Sequence, residues 1–508
     1  MPDIFTYSAF DLEALCRRAS ALRHGVPCVC TPDQRPASGS FNWAVFIVFT
    51  DGIRWVLRSP HPRPFMPMEM GMKLLASEAA TLRYLRVHSD IPVPTVYDYC
   101  ASSDNDIGIP FIIMSEAPGW PLSKVWKPAG SPQRDLDTSI KARILTQWGG
   151  ITWKLSQLRF ERIGSLFEEE GFFQMKECLS RGHILHERYD LEISRGPFTS
   201  EAEFWDSLIS AFVAHAEALP LSHHCFVAPV PSPEDYQSGM QYKNAVSLWN
   251  DFVTVGGKID SSKNRLDYII VGNALRDILH GGQLPAIMPE TFPLCHADLS
   301  VNNIYVDDDY NITCIIDWAF ASSIPESMLL AAPGLPQYRD QISSGLRTSF
   351  TDGFIAAMPG AVEKSLINSY RESLDRAHIT WSLSRLLSLD SIADYDLFST
   401  VWHVAHGPDA NVRQYLLQQR RSPRYVQLYH EIQKEDQQPS KIEKDEKDYF
   451  HDNDLRYTIA KKLTVMSEWK TRYTISNTPP RLRQDMFVAG PKLWKWIMRF
   501  MRDWEDLQ

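Results

Sequence analysis

The first part of the chain alternates short apolar runs with turn residues, a pattern typical of antiparallel strands. Mostly apolar runs fill residues 43–49 and 54–58, and a polar Thr-Asp-Gly segment lies between them. Apolar runs on either side of Asp-Gly predict a β-hairpin. Residues 91–99 and 110–114 are further strand-like runs, and a turn-rich connector follows at 115–119. This part of the chain is therefore predicted to form an antiparallel sheet.

Helical spacing marks other segments. Apolar residues recur every three or four positions, as on one face of a helix, in residues 9–24, 71–88, 137–158, 264–280 and much of 326–428. The first of these helices is expected to lie against the sheet. In the last segment, Trp381, Trp402 and Tyr415 are expected in the core. Because a chain of 508 residues is long for one compact core, we expect two or more lobes.

Three polar residues surround a second predicted hairpin. Ile304–Val306 and Ile312–Ile316 are short β-rich runs joined by a polar turn. Because a hairpin sends the chain out and back, Asn303 and Asp317 should lie side by side at its open end, with Asp298 on the loop that enters the same end. Hard oxygen ligands of this kind suit Mg²⁺ held against substrate phosphates. The alternative is a surface hairpin whose Asp and Asn residues only form turns.

The spacing of these residues resembles that of a known family. His296-x-Asp298, four residues, Asn303, an apolar hairpin and Asp317-Trp318 together resemble the catalytic and metal-binding segments of protein-kinase-like phosphotransferases. The form is most similar to the aminoglycoside phosphotransferase (choline-kinase-like) branch, and several strings resemble a fungal phosphotransferase-enzyme family. The resemblance implies an α+β, protein-kinase-like fold of two lobes, with a small antiparallel-sheet N-lobe and a large helical C-lobe. It also implies that Asp298 is the catalytic base and that Asn303 and Asp317 hold Mg²⁺ against ATP.

Four residues of the predicted N-lobe have nucleotide-binding counterparts in this resemblance. Glu78 lies on the apolar stripe of the helix at 71–88, where a buried carboxylate needs a cation, and Arg58 is the nearest candidate. In kinases a strand Lys and a helix Glu hold the nucleotide phosphates. This chain has Arg58 at the Lys position, so a purely structural ion pair is the alternative. Gly39 and Asn42 correspond to the loop over the phosphates, although this loop has a single glycine.

The resemblance also divides the chain and places a hinge. The connector after the sheet would let the backbone near Ser115 and Ala117 bond the adenine edge of the nucleotide. Four parts follow: an N-terminal helical extension at 1–30, the N-lobe at 31–118, the helical C-lobe at 119–428, and a charged linker with a C-terminal amphipathic helix at 429–508. The last helix is expected to pack on the chain's own surface, with a partner or membrane surface as the alternative.

Composition narrows the classes of function. The formal net charge of −10 argues against nucleic-acid binding, which needs a concentrated basic surface. No apolar run approaches the roughly 20 residues of a membrane span, and the N-terminus lacks a secretory pattern, so a cytoplasmic protein without an integral membrane segment is expected. The eight cysteines are scattered, which indicates reduced thiols. His183 and His186 lack the order of zinc-protease signatures and are expected to be packed or surface histidines.

These expectations combine into one function and two rivals. We expect ATP-dependent, Mg²⁺-assisted transfer of the γ-phosphoryl group to a hydroxyl of a small molecule. The rival from another class is a pseudokinase that acts as a binding or scaffold protein, motivated by the single-glycine loop and by Arg58. Phosphorylation of a protein substrate is less favoured because no Ala-Pro-Glu segment follows Asp317 at the usual place. The sequence does not select the acceptor, ATP over GTP, or an oligomeric state.

Overall fold

The protein is described by a computed structural model. The described residues are 3–39, 41–61, 66–127, 135–219, 226–229, 238–240, 262–282, 291–336, 341–360, 362–389, 394–434 and 486–489. The predicted C-terminal amphipathic helix and most of the charged linker lie outside them. Within these ranges no helix is both long and apolar enough to cross a membrane.

A six-stranded antiparallel sheet forms the N-terminal lobe. Its strands are β1 (Cys28–Val29), β2 (Ala37–Ser38), β3 (Asn42–Phe49), β4 (Arg54–Pro60), β5 (Val96–Cys100) and β6 (Phe111–Ser115). The order is β1-β3-β4-β6-β5, and β2 also pairs with β3. The predicted hairpin is confirmed, since β3 and β4 pair from Asn42 opposite Pro60 to Val48 opposite Arg54. The strand expected from residue 91 begins only at Val96, because prolines at 92 and 94 cannot donate ladder hydrogen bonds.

Two helices cover this sheet, and both were predicted. Helix α1 (Leu12–Leu22) begins at Asp11, whose carboxylate accepts a 2.8 Å hydrogen bond from the Ala14 N–H and so satisfies an unpaired helix donor. The buried face of α1 packs in the same apolar cluster as the inner residues of β3 and β4. Helix α2 (Met68–His88) packs its apolar face in a cluster that continues into the C-terminal lobe. The helix α2 therefore connects the cores of the two lobes.

The C-terminal lobe is mainly helical. Its helices are α3 (Thr138–Ser156), α4 (Arg181–Ile184), α5 (Glu201–Ala218), α6 (Ser262–His280), α7 (Glu326–Leu329), α8 (Ser344–Ala356), α9 (Lys364–Leu387), α10 (Asp394–His406), α11 (Val412–Arg420) and α12 (Pro423–Gln433), with 3₁₀ turns at Leu122–Lys124 and Arg188–Asp190. The expected helices at 137–158 and 264–280 are confirmed as α3 and α6. Trp402 is buried as predicted, whereas Trp381 and Tyr415 are only partly buried and pack against the same cluster.

Short strands connect these helices. They are β7 (Trp120–Pro121), β8 (Arg159–Phe160), β9 (Ser165–Glu169), β10 (Phe172–Lys176), β11 (Phe226–Pro229), β12 (Phe292–Cys295), β13 (Ile304–Val306), β14 (Ile312–Ile315), β15 (Ser322–Ser323) and β16 (Met486–Ala489). They form two pairs, β9-β10 and β11-β16, and two three-stranded sheets, β15-β12-β8 and β14-β13-β7. The predicted α+β fold, with a sheet-based N-lobe and a helical C-lobe, is confirmed. The boundaries predicted for the four parts of the chain stay predictions.

Two glycines let α3 and α8 approach backbone to backbone. A Cβ atom at Gly149 would overlap the carbonyl oxygen of Phe350, and one at Gly353 would overlap that of Thr146. Close helix packing of this kind tolerates no side chain at the crossing, because added atoms in a filled interior force the backbones apart.

We therefore expect Gly353→Ala to lower the free energy of unfolding by about 1–3 kcal/mol. The matched control is Gly345→Ala on the same helix, where an added Cβ meets open space. That change should be neutral or slightly stabilising, because alanine is the better helix former. Urea unfolding of the two variants measures the difference, and equal midpoints would contradict the close crossing.

Candidate active site

The hairpin β13-β14 brings two of the predicted site residues together. Ile304 pairs with Ile315, and one step further the Ile316 N–H donates a 3.0 Å hydrogen bond to the Asn303 carbonyl. Asn303 and Asp317 therefore lie at the same end of the hairpin, as the sequence predicted. Strand β7, which leaves the hinge, pairs with the other edge of β13 and ties the hairpin to the connection between the lobes.

His296 fixes the loop that carries Asp298. The buried imidazole contacts the Ile316 carbonyl through Nε2 at 3.0 Å and receives the Asp298 N–H at Nδ1 at 3.2 Å. A carbonyl only accepts and an amide N–H only donates, so the ring is neutral with its proton on Nε2. Burial lowers the pKa of His296, which favours this neutral form. The histidine thereby connects the Asp298 loop to the strand that ends at Asp317.

The oxygen atoms of Asn303 and Asp317 fit a magnesium site. The buried Asn303 amide donates through Nδ2 to the Asp298 carbonyl at 2.8 Å, which leaves its side-chain oxygen for another partner. Asp317 adopts φ +66°, a conformation rare for a residue with a side chain, and its side chain is 36% exposed. Among the described residues no group of three or more His, Cys, Asp or Glu could hold a metal. Magnesium here would need nucleotide phosphates and water as further ligands, its usual mode.

Arg58 joins the two lobes at this site. Its Nη1 donates to Glu78 Oε1 at 2.6 Å, which confirms the predicted pair, and its Nη2 donates to the Asp317 carboxylate. The Trp318 N–H also donates to Glu78 Oε1, at 3.2 Å. Sequence reasoning missed the contact between Arg58 and Asp317, because no local pattern connects an N-lobe strand to a residue in the C-lobe.

The two carboxylates that share Arg58 differ in exposure and in pKa. Burial raises the pKa of Glu78 to about 7, against the attraction of Arg58. Burial also disfavours the charged form of Asp317, but the Arg58 guanidinium outweighs it and holds the pKa of that carboxyl below its ordinary value. Arg58 is thus shared by two carboxylates. Asp317, the more exposed one, stays ionised, and Glu78 is the first of the two to take a proton.

The predicted phosphate loop reaches across to the C-lobe. The Gly39 N–H donates to the Asn42 carbonyl at 2.8 Å, which makes a tight turn before β3. Between these residues, the Phe41 ring packs edge-on against Phe320 of the C-lobe, with centroids 5.3 Å apart. Phe41 and Phe320 were not among the predicted site residues, because single aromatic residues carry no signal for a contact between lobes. The loop therefore contacts the segment that follows Asp317.

The predicted hinge residues differ in their hydrogen bonds. Ser115 closes the sheet, because its N–H donates to the Thr95 carbonyl and its hydroxyl accepts from the Thr95 N–H, both at 2.9 Å. The Ala117 N–H has no hydrogen-bond acceptor within the described part of the chain. Just beyond, Gly119 (φ +87°) lies so close to the Val306 carbonyl that a Cβ would overlap it. The predicted hinge is therefore held against the hairpin β13-β14, with the Ala117 amide available to a ligand.

The predicted base, Asp298, is in contact with an arginine, Arg181, that was not predicted from the sequence. Arg181 Nη1 of the short helix α4 lies 3.0 Å from Asp298 Oδ2. A lone arginine far from the catalytic motif gives no signal in one sequence. Its position next to Asp298 depends on how the segment between β10 and α5 folds back onto the site.

Helix α4 also contains His183, which is packed, as predicted. The buried ring contacts the Ser180 hydroxyl at 2.8 Å and the Ser207 hydroxyl at 3.0 Å. His186 is exposed, again as predicted. Burial lowers the pKa of His183 to about 3.

This pKa predicts a measurable acid sensitivity. An unfolded histidine binds a proton near pH 6.5 but native His183 only near pH 3, so in that window the unfolded state binds more protons and stability falls as pH falls. We expect His183→Gln to reduce the stability lost between pH 7 and pH 5 by about 2 kcal/mol. Urea unfolding at both pH values tests this, with the exposed His186→Gln as control. An unchanged pH dependence in His183→Gln would contradict the assignment.

Comparison with known proteins gives short sequence matches. No protein-family profile matches the chain. A subtelomeric hrmA-associated cluster protein of Aspergillus fumigatus is 28% identical over 179 residues, which is 33% of this chain and 33% of that protein. The altered inheritance of mitochondria protein 9 of Scheffersomyces stipitis is 30% identical over 93 residues, 18% of this chain and 15% of that protein. The chain thus spans about a third or less of the length of these curated relatives.

Solved structures are similar over more of the chain. A candidate fructosamine-3-kinase from Thermobifida fusca covers 78% of this chain and 99% of its own, at 14% identity and a TM-score of 0.41. An aminoglycoside phosphotransferase covers 79% of this chain and 100% of its own, at 14% identity and a TM-score of 0.38. An ethanolamine kinase from Plasmodium vivax covers 78% of this chain and 83% of its own, at 13% identity and a TM-score of 0.35. These structural neighbours are kinase-like phosphotransferases. They are of the aminoglycoside-phosphotransferase and choline-kinase-like kind that the sequence resembles.

Proposed function

We propose that this protein is a phosphotransferase that moves the γ-phosphoryl group of ATP to a hydroxyl of a small molecule. The observation that supports this most directly is the meeting of Asp298, Asn303 and Asp317 at one end of the catalytic hairpin, with Arg58 bonded to Asp317. A base, two oxygen ligands for a metal and a cation for phosphates are the parts that phosphoryl transfer requires.

Each residue has a separate task in this reaction. Asp298 accepts a hydrogen bond from the acceptor hydroxyl and takes its proton, while the hydroxyl oxygen bonds to the γ-phosphorus and the bond to the β-phosphate oxygen breaks. Asn303 and Asp317 hold the metal. Bound magnesium supplies positive charge that neutralises the phosphate oxygens. His296, by fixing the loop, keeps Asp298 at the end of the hairpin.

The N-lobe residues bind the nucleotide. Arg58 keeps Glu78 as its partner through Nη1 and turns its second amino group from Asp317 to the α and β phosphates, which a guanidinium fork can bond in two places. The loop from Gly39 to Asn42 covers the phosphates. The adenine edge accepts a hydrogen bond from the Ala117 N–H and lies against the hinge.

A pseudokinase is the second candidate, and one contact favours it. Arg58 bonds directly to Asp317, the predicted metal ligand, so the arginine competes with magnesium for that carboxylate. If Arg58 does not release Asp317, the site binds no metal and the protein acts as a binding or scaffold protein. Magnesium-dependent nucleotide binding separates the two candidates.

The test is a thermal unfolding titration with ATP or GTP, with and without Mg²⁺. A ligand that binds only the native state stabilises it, by about 2.7 kcal/mol at a concentration of one hundred times its Kd. We expect a magnesium-dependent rise in Tm for the wild type and loss of the magnesium-dependent part in Asp317→Asn. Asp309→Asn, in the exposed turn of the same hairpin, is the control and should behave as the wild type. No rise with either nucleotide would favour the pseudokinase.

A further inference from the structure

Helix α4 brings a second arginine to the site, on the side of the predicted base. Arg181 Nη1 lies 3.0 Å from Asp298 Oδ2, and the two side chains are 17% and 24% exposed. The guanidinium carbon lies 5.7 Å from the centre of the Phe320 ring, which itself contacts Phe41 of the phosphate loop. Arg181 therefore contacts both the predicted base and Phe320, and Phe320 in turn contacts the phosphate loop.

Buried polar side chains hold this short helix in place through hydrogen bonds. Arg188 donates through Nη1 to the Gly182 carbonyl at 2.6 Å and to the Leu387 carbonyl at 2.9 Å, and its side chain is fully buried. His183 joins the helix to Ser207 of α5. A buried charge is costly unless it is hydrogen-bonded. The hydrogen bonds of Arg188 therefore hold the one-turn helix α4 in a fixed position relative to α9. Such support is what a preorganised functional side chain needs.

The field of Arg181 reaches the metal side of the site as well. The positive charge of Arg181 also acts on Asp317, although less than that of Arg58, which bonds this carboxylate directly. Arg181 thus acts on both Asp298, which would receive the acceptor proton, and Asp317, which would hold the metal. The transferred phosphoryl group would pass close to Asp298, because the acceptor hydroxyl would bond there, and Asn303 and Asp317 would hold a metal on the other side.

We propose that Arg181 is a catalytic residue that contacts the transferred phosphoryl group, an inference that rests on the proposed phosphotransferase function. In the resting protein the Asp298 carboxylate pairs with the Arg181 guanidinium. During the reaction the acceptor oxygen bonds to the γ-phosphorus, the bond to the β-phosphate oxygen breaks, and the hydroxyl proton moves to Asp298. Once Asp298 has taken the proton, it attracts the Arg181 guanidinium less strongly, and the N–H groups of Arg181 bond the phosphoryl oxygens.

This sequence of events stabilises the transition state more than the ground state. Only an interaction that strengthens as the reaction proceeds raises the rate of the chemical step. An arginine that gains an anionic partner during phosphoryl transfer meets that condition, and arginines in equivalent roles contribute about 10³–10⁵ in rate. The alternative is an arginine that only positions Asp298, which would leave the affinity for a transition-state mimic unchanged.

The experiment compares wild type, Arg181→Gln and Arg181→Lys in the full chain. The probes are MgADP alone, and MgADP with aluminium fluoride, which imitates the planar phosphoryl group in transfer. Hydrolysis of MgATP with water as acceptor gives the rate. The control is Lys73→Gln, a partly exposed cation of α2 that pairs with Glu177 at 3.0 Å. Thermal unfolding without ligand reports the folding of each variant.

We expect Arg181→Gln to bind MgADP within about threefold of the wild type and to lose the extra affinity given by aluminium fluoride. Its hydrolysis rate should fall by about 10³-fold. Arg181→Lys should recover part of the aluminium fluoride affinity and part of the hydrolysis rate, because lysine keeps the positive charge but lacks the planar guanidinium fork. Lys73→Gln should match the wild type in all three measurements.

Two different failures can be told apart. If the wild type binds and hydrolyses MgATP but Arg181→Gln keeps its affinity for the aluminium fluoride complex, the inference about Arg181 is wrong and the proposed function stands. If the wild type binds no nucleotide in the presence of Mg²⁺, the proposed function fails, and the inference fails with it.

Discussion

Asp298→Asn is expected to reduce phosphoryl transfer by about 10²–10⁴-fold while nucleotide affinity stays within about threefold, because general-base catalysis contributes roughly that factor. Asparagine has nearly the same shape but does not take the acceptor proton. The loop should survive the change, since the hydrogen bonds that Asp298 makes with His296 and Asn303 use its backbone: its N–H donates to His296 and its carbonyl accepts from Asn303. A time course of MgATP hydrolysis measures the rate, and a MgADP titration measures the nucleotide affinity.

The control for this substitution is again Asp309→Asn, which removes a carboxylate from the same hairpin at the end away from the site. It should keep both rate and affinity. If Asp298→Asn hydrolysed MgATP at the wild-type rate, Asp298 would not be the base. A parallel loss of MgADP affinity would instead mean that the substitution had disturbed the nucleotide site.

Arg58→Met is expected to lower the free energy of unfolding by about 3–5 kcal/mol, because it leaves the buried Glu78 carboxylate without its cation. The loss should be larger at pH 8 than at pH 6. A carboxyl whose folded pKa is raised above the unfolded value contributes stability at low pH and loses it as pH rises through the folded pKa, here about 7 with Arg58 present. Urea unfolding of wild type and variant at the two pH values measures both effects.

The double variant Arg58→Met with Glu78→Leu separates the structural role of this pair from its nucleotide role. Replacing a buried ion pair by apolar groups of similar size is often close to neutral, so most of the lost stability should return. Magnesium-dependent nucleotide binding should stay weak, because Arg58 is expected to hold phosphates. Restored stability together with wild-type nucleotide affinity would mean that Arg58 and Glu78 form only a structural pair.

The sequence by itself determined the elements whose patterns are local. The hairpin β13-β14 follows from two short β-rich runs and a polar turn, and a hairpin necessarily brings Asn303 next to Asp317. Helices α2 and α3 follow from apolar spacing over many turns, where periodicity is strongest. The pairing of Arg58 with Glu78 was also accessible, because a carboxylate on an apolar stripe requires a nearby cation.

Only the tertiary structure decided which distant side chains meet. Arg58 bonds Asp317, Arg181 bonds Asp298, and Phe41 packs on Phe320, and each contact joins segments that are far apart in the chain. These contacts depend on the packing of one lobe on the other and on the buried groups that hold α4 in place. No local pattern encodes them, because the energy that fixes them comes from burial and charge pairing after the chain has folded.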